Sequence, residues 1–464
     1  MATDVRDVLA SQIEYVNKNI QHMYEEGSQV CDLVLQNLPA HTINRRLGRL
    51  IVQQYRGGNW GKMSANGTGN YGQGTGNKQY ELKFGAFYAK RNFRFNDEVR
   101  DTTQGNPQAV VDIVAEQIGG AMADCLIDDD VAFHQSGTGV ISSPTSLPAA
   151  TGAGTASTTI TFAGATDYWG ISMFRQGMCI EFWSQDLTTK RTTYADATLP
   201  LIIEDIDYAN KAIKLNQAVT INPAGSQDVA VIPDMDAYGP STLTIGSSTW
   251  PDNTVAGGLS GDTFRHGMDY ALSVNTSDYY LGQLKSSKLQ LLSNRVNAST
   301  ASLSWSHGRQ LDDQILTRSS DDKPDHIGLA SLAQVKAIED LGVNLTEYRL
   351  QGGGLQTPAD LIAYDRKYGT PVQYCGKAIY RDKRLKKDRI NYLDKTTWFR
   401  AQFFERGFLD GGDSGKYLFR GRIPSTARLA TWLEFIIRDC FDFVCSSPMR
   451  NGYIDSLAVE AAYV

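Results

Sequence analysis

Residues 57–77 read GGNWGKMSANGTGNYGQGTGN, and residues 78–97 continue KQYELKFGAFYAKRNFRFND. Eight of the first 21 positions are Gly, with no Pro among them. In the second stretch Tyr80, Leu82, Phe84, Phe87, Phe93 and Phe95 mostly alternate with polar residues, which is the period of a strand. Gly85-Ala86 offers a turn or bulge. Together they predict a long two-stranded arm over 56–96 with a conformationally free, glycine-rich tip. GTGNYG at 67–72 matches the dinucleotide fingerprint only formally. That chemistry needs a strand before it and a helix after it, so that the helix N-terminus faces the pyrophosphate. Here a strand pattern follows, so nucleotide binding is not expected.

A two-stranded ribbon is marginally stable in water, so the aromatic face of the arm must be buried against other protein. The arm is basic: Lys62, Lys78, Lys83, Lys90, Arg91 and Arg94 face only Glu81 and Asp97. The helix predicted next is acidic. Residues 106–135 carry an N-cap at Asn106, Pro107 at the first helical position, and an apolar stripe through Val111, Val114, Ile118, Met122 and Cys125. At 1.5 Å per residue this helix runs about 40 Å. Gly119-Gly120 costs it roughly 1 kcal/mol per Gly, so a bend is expected there. Asp112, Glu116, Asp124 and Asp128–Asp130 give it its charge. A basic arm and an acidic helix on one chain suggest complementary surfaces of neighbouring copies.

Outward from this pair, residues 4–38 show an apolar stripe at helical spacing (Val5, Val8, Leu9, Ile13, Val16, Ile20, Met23, then Val30, Leu33, Val34, Leu38) that Pro39 ends. Residues 157–238 are rich in short strands: ITFA, MCIEFW, LPLIIEDIDY, AIKLN and DVAVIPD. SLSWSHGRQLDDQIL and SLAQVKAIEDLG are the better helices of 257–345. Residues 370–464 are mixed, with CGKAIYRDK, RINYLD and the apolar TWLEFIIRDCFDFVC.

Composition bounds the function. The chain has 464 residues, 41% apolar and 21% charged, with a net charge of −6. That length supports a large core and two to three domains. The acidic balance argues against a protein whose main task is gripping nucleic acid. Six Cys are scattered without a CxxC pair and are expected as small buried hydrophobes. Six His never fall at metal-ligand spacing, so no metal and no cofactor is expected. No GxSxG elbow, P-loop or catalytic Cys pattern occurs, so no catalytic residue is assigned and the chain is not expected to be an enzyme. The N-terminus lacks a secretory pattern, and no run approaches about 18 apolar residues, so no membrane partner is expected. Asp128–Asp130, whose side chains diverge on a helix, are expected as a solvated face. YRDKRLKKDR at 380–389 is expected as a solvated turn or a contact to a neighbour's acids, with phosphate contact as an alternative.

The order of these parts, over most of the chain, resembles the major capsid protein of tailed double-stranded-DNA bacteriophages. The residues that carry the resemblance are the arm at 56–96, the helix at 107–135 with its DDDVAFHQSGTG exit, the stretch FRQGMCIEFW…LPLIIEDIDYANKAIKLNQAV…SQDVAVIPD, the segment GLSGDTFRHGMD…YYLGQLKSS, and the closing GTPVQYCGKAIYRDKRLKKDRINYLD and FDFVCSSPMRNGYIDSL. It implies an α+β, Hong Kong 97-type capsid fold. The implied parts are an N-terminal helical arm (1–55), an extended E-loop (56–97), a spine helix and the start of the peripheral domain (98–156), a β-rich insertion (157–256), an axial domain (257–380), and closing strands of the peripheral domain (381–464). GTPVQYCGKAIYRDKRLKKDRINYLD would supply a pair of strands and FDFVCSSPMRNGYIDSL a closing strand.

It implies, too, an icosahedral head built of pentamers and hexamers around packaged DNA, with only weak non-specific DNA contacts. Portal, scaffolding or decoration proteins would be partners. The location would be the virion capsid, and the host cytoplasm during assembly. In such a shell the E-loop lies over the adjacent subunit. Trp60, Tyr71, Lys83, Phe84, Phe87, Lys90, Arg91 and Arg94 are then the expected contacts of the arm, and Asp112, Glu116 and Asp124 those of the acidic helix. Lys62 and Asn451 are the kind of pair a covalent crosslink would use. Two other readings stand beside this one. An encapsulin-like compartment shares the fold and encloses protein. A carbohydrate-active enzyme with a β-module needs paired carboxylates at a cleft, and the acids here are dispersed.

Overall fold

The computed structural model describes residues 34, 36–39, 42–44, 47–55, 76–85, 88–96, 124–135, 137, 141, 157–161, 170–183, 201–220, 229–231, 265–319, 325–350, 372–408, 419–422 and 429–459. In chain order, β1 (Gln36–Pro39), β2 (Thr42–Asn44), β3 (Leu47–Tyr55), β4 (Lys78–Gly85) and β5 (Tyr88–Asn96) come first. Helix α1 covers residues 124–133. Then follow β6 (Ser157–Thr161), β7 (Cys179–Trp183), β8 (Leu201–Asp207), β9 (Ala212–Val219) and β10 (Val229–Val231). Next are α2 (Met268–Leu272), β11 (Tyr279–Tyr280), β12 (Gln283–Leu284), β13 (Asn294–Asn297), α3 (Trp305–Arg318), β14 (His326–Ala330) and α4 (Leu332–Leu350). The chain closes with β15 (Val372–Tyr374), β16 (Lys377–Arg381), β17 (Ile390–Asp394), β18 (Trp398–Phe408), β19 (Phe419–Arg422), β20 (Leu429–Cys445) and β21 (Gly452–Asp455). The architecture is α+β.

Among the described residues there are five sheets, of which the two-stranded β11-β12 is the smallest. The first has the order β1-β18-β20-β19, with β5 also paired to the long β20. The second is the β-rich module, β10-β7-β8-β9-β6. The third is six-stranded, β13-β21-β17-β14-β16-β15, with α3 and α4 packed against its strands. The fourth is β2-β3-β4. The module has its own core, built on Ile160, Phe174, Ile180, Phe182, Ile203, Ile213 and Leu215. The strands expected between 157 and 238 are all present, because alternation with polar residues at turns is a local signal.

Three expectations are corrected here. Residues 36–39, 42–44 and 47–55, assigned to a helical arm, are strands; β1 pairs in parallel with β18, Leu38 lying opposite Ala401. The apolar spacing of 30–38 fits a helix, but the edge of β18 supplies a ladder that overrides it. The two strands of the arm are not each other's partners. β4 pairs with the upstream β3, and β5 pairs with β20. Last, the division expected at 380/381 runs through one sheet, in which β14 lies between β16 and β17, parallel to β16 and antiparallel to β17. The sheet therefore draws strands from both sides of residue 380, and a boundary at 380/381 would cut β16. The expected bend at Gly119-Gly120 lies outside the described residues.

Candidate assembly surface and the charged junction behind it

The glycine-rich stretch 57–77 joins β3 to β4, so these two strands form the base from which it departs. Val52 faces Tyr80 and Leu50 faces Leu82 across the ladder. Tyr80, Leu82 and Phe84 are buried, and Leu50 and Val52 pack against the same core, so this face of the ribbon is covered by the chain's own body. Each such side chain contributes roughly 1.5–3 kcal/mol. The opposite face is open: Ile51 is 58% exposed, with Glu81 as its cross-strand partner. The segment carrying β11 and β12 braces the base. Lys83 N–H donates to Leu281 O at 3.0 Å, and Gln283 Nε2 donates to Glu81 O at 2.9 Å. Gln290 Nε2 donates to Gln54 O at 2.6 Å, and Lys288 Nζ donates to Gln54 Oε1 at 3.2 Å.

The expected contact residues separate accordingly. Phe84, expected on a neighbour, is 2% exposed and packs edge-to-face on Phe403, with ring centroids 6.1 Å apart. Its apolar surface is used within the chain because β3, not a neighbour, completes the ribbon. Lys83 is half-buried on the same strand. Lys90, Arg91 and Arg94 lie on β5, opposite Arg438, Ile437 and Glu434 of β20. Asp124, expected to meet a neighbour's arm, pairs with Arg175 of its own chain at 3.1 Å. Trp60, Lys62, Tyr71, Phe87, Asp112 and Glu116 lie outside the described residues. Ile51, Leu50 and Val52 were missed as part of the ribbon, although a short apolar, β-branched run such as LIV is a strand signal.

In the acidic run near the end of α1, Asp128 is half-exposed, but Asp129 and Asp130 are not on a solvated face. Asp129 is 1% exposed and accepts from Arg265 and, at 2.7 Å, from Arg406 Nη2. Asp439 of β20 accepts from the same two arginines, Arg406 Nε at 2.7 Å. The result is a buried square of two carboxylates and two guanidiniums, and the Arg265 guanidinium also lies 3.6 Å from the centre of the Phe441 ring. Asp130 pairs with Arg384, and His134 bonds Asp382 through Nε2 while Nδ1–H donates to Asp130 O at 2.7 Å. His266 holds Asp442 through Nδ1 at 2.6 Å and through its backbone N–H at 2.8 Å. Gly267 closes the junction: a Cβ there would overlap the carbonyl oxygen of Gln135.

The basic run at 380–389 is corrected by the same geometry. Asp382, Arg384 and Arg389 are buried, and Arg389 pairs with Asp269 at 2.9 Å. Runs of opposite sign far apart in sequence neutralise each other inside the fold, Arg384 meeting Asp130, as buried charges must. Asn451 is likewise removed from crosslink chemistry. It is fully buried; its Oδ1 accepts from Asp394 N at 2.7 Å and from Trp398 Nε1 at 2.9 Å, and its Nδ2 donates to Ser447 O at 2.9 Å. Cys125, Cys440 and Cys445 are buried, and Cys179 and Cys375 partly so. Burial pushes the Cys440 and Cys445 thiols up to about 12. Among the described residues no cluster of three or more His, Cys, Asp or Glu is placed to hold a metal. No described helix is long and apolar enough to cross a membrane.

No protein-family model matches the sequence, and no curated protein does. Several solved structures match along most of the chain. The capsid asymmetric unit of cyanophage A-1(L) is 9% identical, with 94% of this chain and 92% of that one covered and a TM-score of 0.46. The capsid of a native GTA particle is 6% identical over 94% and 91%, with a TM-score of 0.39. The procapsid of satellite phage P4 is 8% identical over 95% and 99%, with a TM-score of 0.36.

Proposed function

We propose that this chain is the shell subunit of an icosahedral, tailed-phage-type head with the Hong Kong 97 fold, and that it encloses double-stranded DNA rather than catalysing a reaction. The observation that supports this best is the braced β3–β4 ribbon. One face is sealed on the chain's own core, while the other leaves Ile51 exposed and feeds the glycine-rich stretch 57–77. A ribbon fixed at its base and glycine-rich beyond it suits a segment that reaches a second copy and adapts to unequal neighbours. Trp60 and Tyr71 are its proposed aromatic anchors. Lys90, Arg91, Arg94, Phe87, Asp112 and Glu116 remain proposed contacts between copies, which would form pentamers and hexamers. Portal, scaffolding or decoration proteins complete the head, and assembly takes place in the host cytoplasm.

Electron microscopy of the purified protein and of a variant lacking residues 58–76 tests this reading. The wild type is expected to form closed shells. The variant keeps both described strands and is expected to give a folded subunit, with unchanged circular dichroism, that makes no stable shells. Normal shells from the variant would make 57–77 a passive loop. A wild type that stays monomeric at high concentration would refute the shell reading itself. Nuclease-protected DNA inside the particles separates a phage head from an encapsulin-like compartment, which would hold protein.

A further inference from the structure

We infer that the β-rich module is a hinged appendage whose docked position is held by an arginine latch, Arg175 across Asp124 and Asp128. Among the described residues, the module's core takes only Val131 and Ile141 from outside 160–219, both at the C-terminal end of α1 or just beyond it. This is a narrow pivot. One to two turns back along α1, Arg175 Nη1 reaches Asp124 Oδ2 at 3.1 Å and Nε reaches Asp128 Oδ1 at 3.1 Å. Carboxylates four residues apart share one helix face, so a single guanidinium can straddle both. At 1.5 Å per residue the latch lies about 5–10 Å from Val131 along the axis, which gives it leverage on the pivot.

Arg175 is well placed for this task. Met173, Phe174 and Met178 beside it are buried in the module core, and Gly177, at φ +79°, turns the chain so that its N–H meets Ile203 O at 2.8 Å. The arginine therefore moves with the module. The latch is open to solvent in a way the junction is not. Its two carboxylates are 38% and 34% exposed, against 2% and 6% for Asp129 and Asp439. Salt screens the first kind of pair far more than the second. At one further point the module meets the body unfavourably: Lys211 in the β8–β9 turn faces Lys387, whose ammonium is pushed down first by burial and then by Lys211. A weak attachment acting against like-charge repulsion, beside a strongly tied body, is the arrangement of a hinge.

Residual dipolar couplings of isoleucine methyl groups in the unassembled full-length subunit test the latch. Ile160, Ile180, Ile203 and Ile213 report on the module; Ile327, Ile379, Ile390 and Ile454 report on the six-stranded body. In low salt the wild type is expected to fit one alignment tensor for both sets. In Arg175→Gln, or in the wild type at about 1 M salt, the module couplings should fall at least twofold relative to the body, with its methyl shifts unchanged. Asp124→Asn/Asp128→Asn should reproduce this. A single tensor in both variants would overturn the latch. So would two tensors in the low-salt wild type, or loss of module methyl dispersion in both variants, which would make the contact a folding element.

Discussion

Replacing Asp129 with Ala removes one corner of the buried square. In the native chain two guanidiniums, Arg265 and Arg406, share two carboxylates, Asp129 and Asp439, and all four side chains are 2–7% exposed. Asp129→Ala leaves two cations facing one anion in a site that water barely enters. Breaking a buried pair in this way costs about 3–5 kcal/mol, a large share of a stability of roughly 5–15 kcal/mol. A substitution on a solvated face would stay within about 0.5 kcal/mol. Urea unfolding of the isolated subunit, followed by far-ultraviolet circular dichroism, separates the two. With a slope near 3 kcal/mol/M, the midpoint should fall by a little over 1 M. Adding Arg406→Met restores neutrality around the Arg265–Asp439 pair. The double variant should therefore be more stable than the sum of the two single effects, by about 0.5–3 kcal/mol. A midpoint within 0.2 M (about 0.6 kcal/mol at that slope) of wild type, or strict additivity, would refute the neutralised square.

Two further outcomes follow from buried polar groups. Lys285 is fully buried, and burial pushes its ammonium down to about 8 while it donates to Ser273 O at 2.7 Å. The unfolded chain holds that proton up to its ordinary value of 10.5, so it binds more protons than the folded chain above pH 8, and stability should rise with pH there. Cys440 and Cys445 act in the opposite sense, because their folded values are raised from 9.0. Between pH 8 and 9 Lys285 by itself contributes a gain of about 1 kcal/mol, which the two thiols partly offset as the unfolded chain begins to ionise them; the difference between wild type and Lys285→Met in urea titrations at the two pH values isolates it. Asn451→Ala strips acceptors from Trp398 Nε1 and Asp394 N in a fully buried site. A loss of about 3 kcal/mol is expected, with an upfield shift of the Trp398 indole N–H resonance; an unmoved resonance would count against the contact.

What the sequence determined by itself is local. The five strands of the module, the helices at 305–318 and 332–350, and the alternation that turns Tyr80, Leu82 and Phe84 to one face are all readable, because a strand or helix period is written in neighbouring residues. The partners were not readable. Alternation says which side of β4 is apolar but not whether β3, β5 or another chain lies beside it, and β5 finds β20 more than 330 residues away. Charge behaved the same way. Asp128–Asp130 and 380–389 look like solvated runs when each is taken alone. Arg384 meets Asp130 across 254 residues of chain, and only when the fold brings them together does burial become cheaper than exposure, since each charge then replaces its lost water with the other. Strand pairing and ion pairing are long-range properties of the whole chain, so the tertiary structure alone decided them.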